Sequence, residues 1–366
     1  MDSAPSARPA APASQTDALP PPRGGSAGRV GVALFGVVVS LVFLYLALRR
    51  VDPAEFFADL RSADPPFYLL SVTLATLTFP TRATRWRIIL ASGGERVRWR
   101  PVWHATAIGF MATNLLPARA GELARAYAAS RFLDIPLARS IGSIAVERVF
   151  DGLVIVLLLA LAIATFHVAG AAEVSGRSVS SIAAWSGAVF IVILGLLFFL
   201  VHAPRPALQW LAAAARRVLP ARAADFVVRM TRSFIEGLTV LRSPLDFARV
   251  VGWSFAVWLV NAAAFTAAFL AFHLGPLPLT TPLLLQGIVA VGVAIPASPG
   301  FVGVFEWTAV FALGLYGVGR TPAASFALGT HLGWFIPITV IGLWHLARSG
   351  LSLREISAGG RGGAAA

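Results

Sequence analysis

Three short clusters hold the residues that could do chemistry in an otherwise apolar chain. The first is Asn114-Leu-Leu-Pro117-Ala-Arg119-Ala-Gly121-Glu122-Leu-Ala-Arg125. Pro117 and Gly121 break the helix, so a half-helix should begin near 118. Its N-terminus offers free N–H groups and a positive dipole end, which together favour an anion. Arg119 and Arg125 add charge suited to bidentate phosphate contact. Glu122 and Arg125 stand i, i+3 and can pair. The competing reading is a cytoplasmic loop whose arginines only follow the positive-inside bias. The second cluster is Glu147-Arg148 with Asp151. Glu147 and Asp151 are i, i+4 and share a helix face. A helix beginning near 139–141 carries them roughly 9–15 Å along its axis, into the hydrocarbon. Ionisable groups there are costly and mark function. They need partners, and Arg119 or Arg125 can supply them; a purely structural ion pair is the alternative. The third cluster is Ile295-Pro296-Ala-Ser298-Pro299-Gly300-Phe-Val-Gly303-Val-Phe-Glu306. Its prolines and glycines exclude a regular span. Ser298 and the N–H groups after Pro299, at Gly300 onward, make a second anion-friendly patch, with Glu306 in the apolar run beyond. A kinked packing turn is the alternative.

The elements that must position these clusters are membrane helices. Of 366 residues, 57% are hydrophobic and 13% charged, against about 25% charged in soluble domains. That excludes a soluble enzyme, a disordered chain and a disulfide scaffold. The expected fold is all-α and polytopic, with about six to eight transmembrane helices of roughly 18–20 residues or more. Six spans are predicted, at about 30–48, 66–81, 141–167, 180–202, 250–273 and 323–347. Two further stretches, 101–131 and 280–317, are broken by Pro and Gly. Broken helices are tolerated in a membrane only where protein or a wet cavity surrounds them. Residues 1–29 read as a disordered tail, 30–350 as the transmembrane domain and 351–366 as a C-terminal tail.

Charge sets the orientation. Thirty basic residues, all arginine, stand against 17 acidic ones, giving +13. In a membrane protein this is a topology signal and a contact with anionic headgroups, not a nucleic-acid footprint. Arginines concentrate in 82–100, 203–249 and the C-terminal tail, whereas 168–179 has one and 274–280 none. The basic segments, 203–249 and both termini are therefore expected in the cytoplasm. Within 205–245 an apolar 3/4 stripe through Val227, Met230, Phe234, Leu238 and Leu241 reads as an amphipathic surface helix. On this bookkeeping 101–131 enters and leaves from inside and 280–317 from outside. Two re-entrant elements would then meet from opposite faces, the geometry of an inverted repeat. Their shared spacing, Pro117-x-x-x-Gly121 and Pro299-x-x-x-Gly303 with a glutamate after each, echoes this. Trp86, Trp99, Trp103 and Trp344 read as interfacial anchors, and Asn261, His331 and His345 as interhelical hydrogen bonds. With no cysteine and six scattered histidines, no metal, cofactor or catalytic residue is expected.

Arg85-Trp86-Arg87, the Asn114–Arg125 run, Glu147-Arg148-x-x-Asp151 and Pro296-x-Ser298-Pro299-Gly300-x-x-Gly303-x-x-Glu306 resemble, in that order, the lysylphosphatidylglycerol synthase transmembrane-region family, also called flippase-like domain proteins. The resemblance covers roughly residues 30–350. One departure is Phe301, where the family pattern has a second Gly. It implies a multi-pass inner or plasma membrane domain that moves lipids between leaflets. Full-length synthases add a soluble aminoacyl-transferase domain, so a chain ending at 366 is expected to lack that activity. The resulting expectation is a stand-alone flippase for a phosphate-bearing lipid. Asn114, Arg119, Glu122, Arg125, Glu147, Arg148, Asp151, Ser298, Gly300 and Glu306 would form its substrate site. A membrane enzyme modifying lipid headgroups, and a lipid-binding regulatory or scaffold protein, are the rivals. Partners would be lipids, with self-association allowed. No GxxxxGK[ST] motif is present, so energy would come from a gradient or another protein.

Overall fold

The computed structural model describes residues 26–91, 96–116, 120–165, 173–174, 177–178, 204–221, 223–225, 227–228, 231–232, 243–294, 298–353 and 355–356. Helices α1 (Ser26–Leu48), α2 (Pro53–Ser62) and α3 (Pro65–Ala91) open the chain. A hairpin of α4 (Trp99–Leu115) and α5 (Ala120–Leu133) follows, then α6 (Leu137–Thr165). A two-residue pair, β1 (Glu173–Val174) with β2 (Arg177–Ser178), is antiparallel. Then come α7 (Pro204–Val218), α8 (Pro244–Ala271), α9 (Thr281–Gly292), a 3₁₀ turn at Pro299–Phe301, α10 (Val304–Gly314) and α11 (Arg320–Arg348). Apart from the β pair, the described residues are helical or connecting.

Among the described residues α8 and α11 are each long and apolar enough to cross a membrane. The pair Leu34–Leu48 and Pro53–Ser62 passes only jointly, with an 89° bend between its parts. The bend follows from Asp52, whose carboxylate accepts from the N–H groups of Ala54 and Glu55 and starts α2 afresh. Predicted spans 30–48, 141–167, 250–273 and 323–347 correspond to α1, α6, α8 and α11. The 180–202 span lies outside the described residues, as does most of the 205–245 stripe. The second predicted span is corrected: α3 runs on through Pro80 to Ala91. Hydroxyls of Thr78, Thr81 and Thr84 bond back to carbonyls one turn earlier around that proline. Arg82, Arg85 and Arg87 are therefore helical residues, not loop residues, and the loop they were expected to populate begins after Ala91.

Both broken stretches are helix pairs. In the first, Gly109 abuts Arg125 and Gly121 abuts Thr113, the crossing pattern of an antiparallel hairpin. A Cβ at Gly121 would strike the Gly109 carbonyl and the Thr113 backbone, so glycine permits this approach. In the second, the 3₁₀ turn separates α9 from α10, and Gly292 packs on Thr308. Gly300, Phe301 and Gly303 all take positive φ, 67°, 60° and 86°. Phe301, where the family pattern has glycine, thus occupies a left-handed backbone position that disfavours a side chain. Among the described residues four apolar clusters hold the helices, two of them large. One gathers Phe265, Phe269, Phe305 and Phe326; the other gathers Trp86, Ile108, Met111 and the α5 alanines. Ile356 joins the second core.

Candidate functional site

Helices α3, α5 and α6 bring seven charged side chains together. Arg82 and Arg85 stand i, i+3 on α3, so both face α6. Glu147 and Asp151 stand i, i+4 on α6 and face back. Arg85 donates through Nη1 to Asp151 Oδ1 at 2.7 Å and lies 3.4 Å from Glu147. Arg125 on α5 grips Glu147 with both Nη atoms, at 2.9 and 2.8 Å. Its guanidinium also lies 3.8 Å from the centre of the Trp86 ring, a cation–π contact. Arg82 reaches Asp151 Oδ2 at 3.2 Å, and Trp258 Nε1 donates to Oδ1 at the same distance. These side chains are buried. Arg148 and Glu122 differ. They pair at 3.1 Å and remain 42% and 44% exposed, and Arg148 also reaches Asp151 Oδ2 at 3.4 Å and Glu147 at 3.9 Å. Four arginines meet three carboxylates here, leaving one positive charge over.

This network forms one wall of a cavity of about 430 Å³. Arg82, Glu122, Arg125, Arg148 and Asp151 line the charged side. Asn261, Gln286, Phe265, Phe301, Phe305 and Trp334 also line it, and Trp258 does so beside Asp151. Both broken elements therefore border the same space, α5 through Gly121 and the second through Phe301 and Phe305.

The expected site residues separate into two groups. Glu122, Arg125, Glu147, Arg148 and Asp151 join the network; Arg119 lies outside the described residues. Arg125 pairs with Glu147 and not with Glu122, because α5 turns its Arg125 face inward and leaves Glu122 to Arg148. Asn114, Ser298, Gly300 and Glu306 assemble beside the cavity, at the turn. Asn114 Nδ2 donates to Thr339 Oγ1 at 2.8 Å and to the Phe335 carbonyl, and Gly300 sits against Phe335 and the Asn114 carbonyl. The Ser298 N–H donates to Ser40 Oγ at 2.9 Å. Among the described residues Glu306 pairs with no arginine: it accepts from the Gly303 N–H at 2.6 Å and contacts His331 Nδ1 at 2.6 Å. His331 Nε2 donates to the Gly300 carbonyl at 2.9 Å, so a proton must sit between Nδ1 and Glu306. His331 and Asn261 make the interhelical bonds expected of them; His345 instead packs on the His104 ring, centroids 4.4 Å apart.

Sequence reasoning missed Arg82, Arg85, Trp258 and Gln286. Arg82 and Arg85 were read as topology markers, although their i, i+3 spacing continues the helix of the second span. Trp86 is likewise no interfacial anchor. It is fully buried and donates to Ser143 Oγ at 2.9 Å.

Fold and site together define an integral membrane protein of packed helices whose interior holds a charged, cavity-lining network. The chain belongs to the lysylphosphatidylglycerol synthase TM region family, which matches residues 33–342. It is 30% identical over 318 residues to the glycosyltransferase AglD of Haloferax volcanii, covering 80% of this chain and 50% of that protein. A UPF0104 membrane protein of Methanothermobacter thermautotrophicus is 22% identical over 331 residues, 87% of this chain and 96% of that protein. A second UPF0104 membrane protein, from Methanocaldococcus jannaschii, is 23% identical over 136 residues, 37% and 40% of the two chains. The chain thus spans about half the length of AglD.

Proposed function

We propose that this protein moves a phosphate-bearing lipid between leaflets, its head passing through the charged cavity while the tails stay in the bilayer. The observation that carries this reading is the arginine-rich network, with one uncompensated positive charge, lining a cavity among apolar helices. Membrane-embedded charges are retained where they line a substrate path. Arg148 is the cation that exchanges: its partner Glu122 is half-exposed, so a phosphate displaces that carboxylate at little desolvation cost. Arg82, and Arg119 with the N-terminus of α5, complete the anion site. Arg125, held at both Nη atoms by Glu147, forms the fixed floor.

In this reading the α4–α5 and α9–α10 hairpins are re-entrant elements of an inverted repeat, within six to eight spans over residues 30–350. The C-terminal end of α4 lies against the second turn, Asn114 beside Gly300, and this supports that arrangement. The arginine distribution supports a cytoplasmic side for both termini and 203–249 in a cell-membrane protein. A second reading, chemistry on lipid headgroups, draws on the likeness to a protein named glycosyltransferase.

Reconstitution of the full chain in liposomes with labelled lipids tests both. Transport predicts headgroup movement that Arg148→Ala reduces at least tenfold, without product. Product formation supports the enzyme. Neither outcome, with lipid still bound, leaves a regulatory or scaffold protein.

A further inference from the structure

Part of the cavity lining carries no charge but is not apolar. Asn261 on α8 and Gln286 on α9 meet there, and Asn261 Nδ2 donates to Gln286 Oε1 at 3.2 Å. In this arrangement Gln286 turns its Oε1 to Asn261 and keeps Nε2 for another acceptor. Gln286 is 97% buried, at 3% exposure, yet its Nε2 has no hydrogen-bond partner. An amide nitrogen brings two donors, and a buried donor left unused is a net loss to the fold. The neighbouring indoles cannot use it: Trp334 Nε1 donates to Ser71 Oγ at 3.1 Å and Trp258 Nε1 to Asp151. What these rings offer the cavity is apolar surface, with Trp334 and Phe265 centroids 4.5 Å apart.

A group that fits must accept hydrogen bonds, carry no positive charge and present C–H surface to aromatic rings. A trimethylammonium or amine head fails the first two requirements. A second phosphate or carboxylate would be drawn to Arg148. Alcohols on a carbon skeleton meet all three.

We propose that Gln286, positioned by Asn261, is a subsite for the uncharged, hydroxyl-bearing part of a lipid head, a glycerol or a sugar. The proposal rests on the transport reading only for the phosphate placed against the arginines.

The test is lipid retention by the purified full chain in native mass spectrometry. Phosphatidylglycerol, phosphatidylinositol and phosphatidylmethanol share one negative charge and differ in hydroxyls. Glucosyl diacylglycerol against the methyl ether of diacylglycerol, which has no hydroxyl, repeats the comparison without phosphate. The wild-type protein should retain a hydroxylated lipid about tenfold over its hydroxyl-free counterpart, the worth of one or two hydrogen bonds. Gln286→Leu and Gln286→Met should bring that ratio to about one while phosphatidylmethanol retention stays constant. Preference for phosphatidylglycerol assigns glycerol, and preference for phosphatidylinositol or the glucosyl lipid assigns a ring. Equal retention in both wild-type comparisons overturns the subsite, and that measurement needs no variant. Preference surviving in both variants also overturns it. Hydroxyl preference in the neutral pair, with anionic lipids no better than neutral ones, supports the subsite and overturns the phosphate reading instead.

Discussion

Glu147 has no solvent contact and touches three arginines: Arg125 at 2.8 Å, Arg85 at 3.4 Å and Arg148 at 3.9 Å. Removing it strands Arg85 and Arg125 in a low-dielectric interior. Breaking a buried pair from one side costs about 3–5 kcal/mol. Glu147→Ala is therefore expected to lower the melting temperature of the detergent-solubilised protein sharply, read by loss of the monodisperse peak after heating. Arg148→Ala should cost less: its guanidinium is 42% exposed, exposed pairs contribute about 0–1 kcal/mol, and Asp151, which it reaches at 3.4 Å, keeps Arg85 at 2.7 Å and Arg82 at 3.2 Å. The variant should fold with a melting temperature lowered far less than by Glu147→Ala, and fail in lipid movement. Equal destabilisation by the two substitutions would show that Arg148 is structural. The contrast separates two residues adjacent in sequence, one holding the helices and the other facing the cavity.

The turn between α9 and α10 is held at one carboxylate. Glu306 accepts from Gly303 at the start of α10 and pins His331 of α11, which in turn holds the Gly300 carbonyl. Losing a cap costs about 0.5–2 kcal/mol, and losing a charged hydrogen bond about 1.5–3. Glu306→Ala should thus reduce thermal stability measurably, whereas Glu306→Gln should restore most of it. A glutamine can accept from Gly303 and donate to a neutral His331 Nδ1. Failure of glutamine to rescue would mean that the carboxylate charge itself is required. The neighbouring hairpin gives a geometric check. Leu115 and Val302 are both partly exposed, at 40% and 39%, and flank the contact of Asn114 with Gly300. The chain has no native cysteine, so Leu115→Cys with Val302→Cys should crosslink through a short flexible reagent. Leu115→Cys with Leu279→Cys, at the far end of α9, should not. Equal yields would separate the two turns.

Across the whole molecule, charge and packing perform different tasks in one cluster of helices. Small residues let α4 and α5 approach, aromatic cores fix α8, α10 and α11 together, and the ionic network ties α3, α5 and α6. Arginines left outside that network are free to set orientation. Reporter fusions within 274–280 should read outside the cell, and fusions within 203–249 should read cytoplasmic. A cytoplasmic signal at 274–280 would reverse the entry side of the second hairpin. The opposed-hairpin arrangement would then fail, although the cavity would stand.

Membrane residence, the helical class, the two interrupted stretches and the family were legible from the chain, because each depends on local quantities. Apolar length decides whether a segment can enter lipid, and Pro with Gly decides where a helix stops. Glu147 and Asp151 were legible as intramembrane charges for the same reason. Their partners were not: nothing in a single helix says that Arg85, read as part of a cytoplasmic loop, is fully buried against them. The end of α3 was misplaced because Pro80 and a run of arginines look like a boundary, whereas α5 and α6 supply the carboxylates that let those arginines continue inward. Glu306 was legible as a charge inside an apolar run, but its partner was not, because the packing of α11 gave it His331. Which charges meet is a matter of how helices far apart in sequence are stacked. Burying an arginine is favourable only once its carboxylate is in place, so tertiary structure alone decided where the site lies.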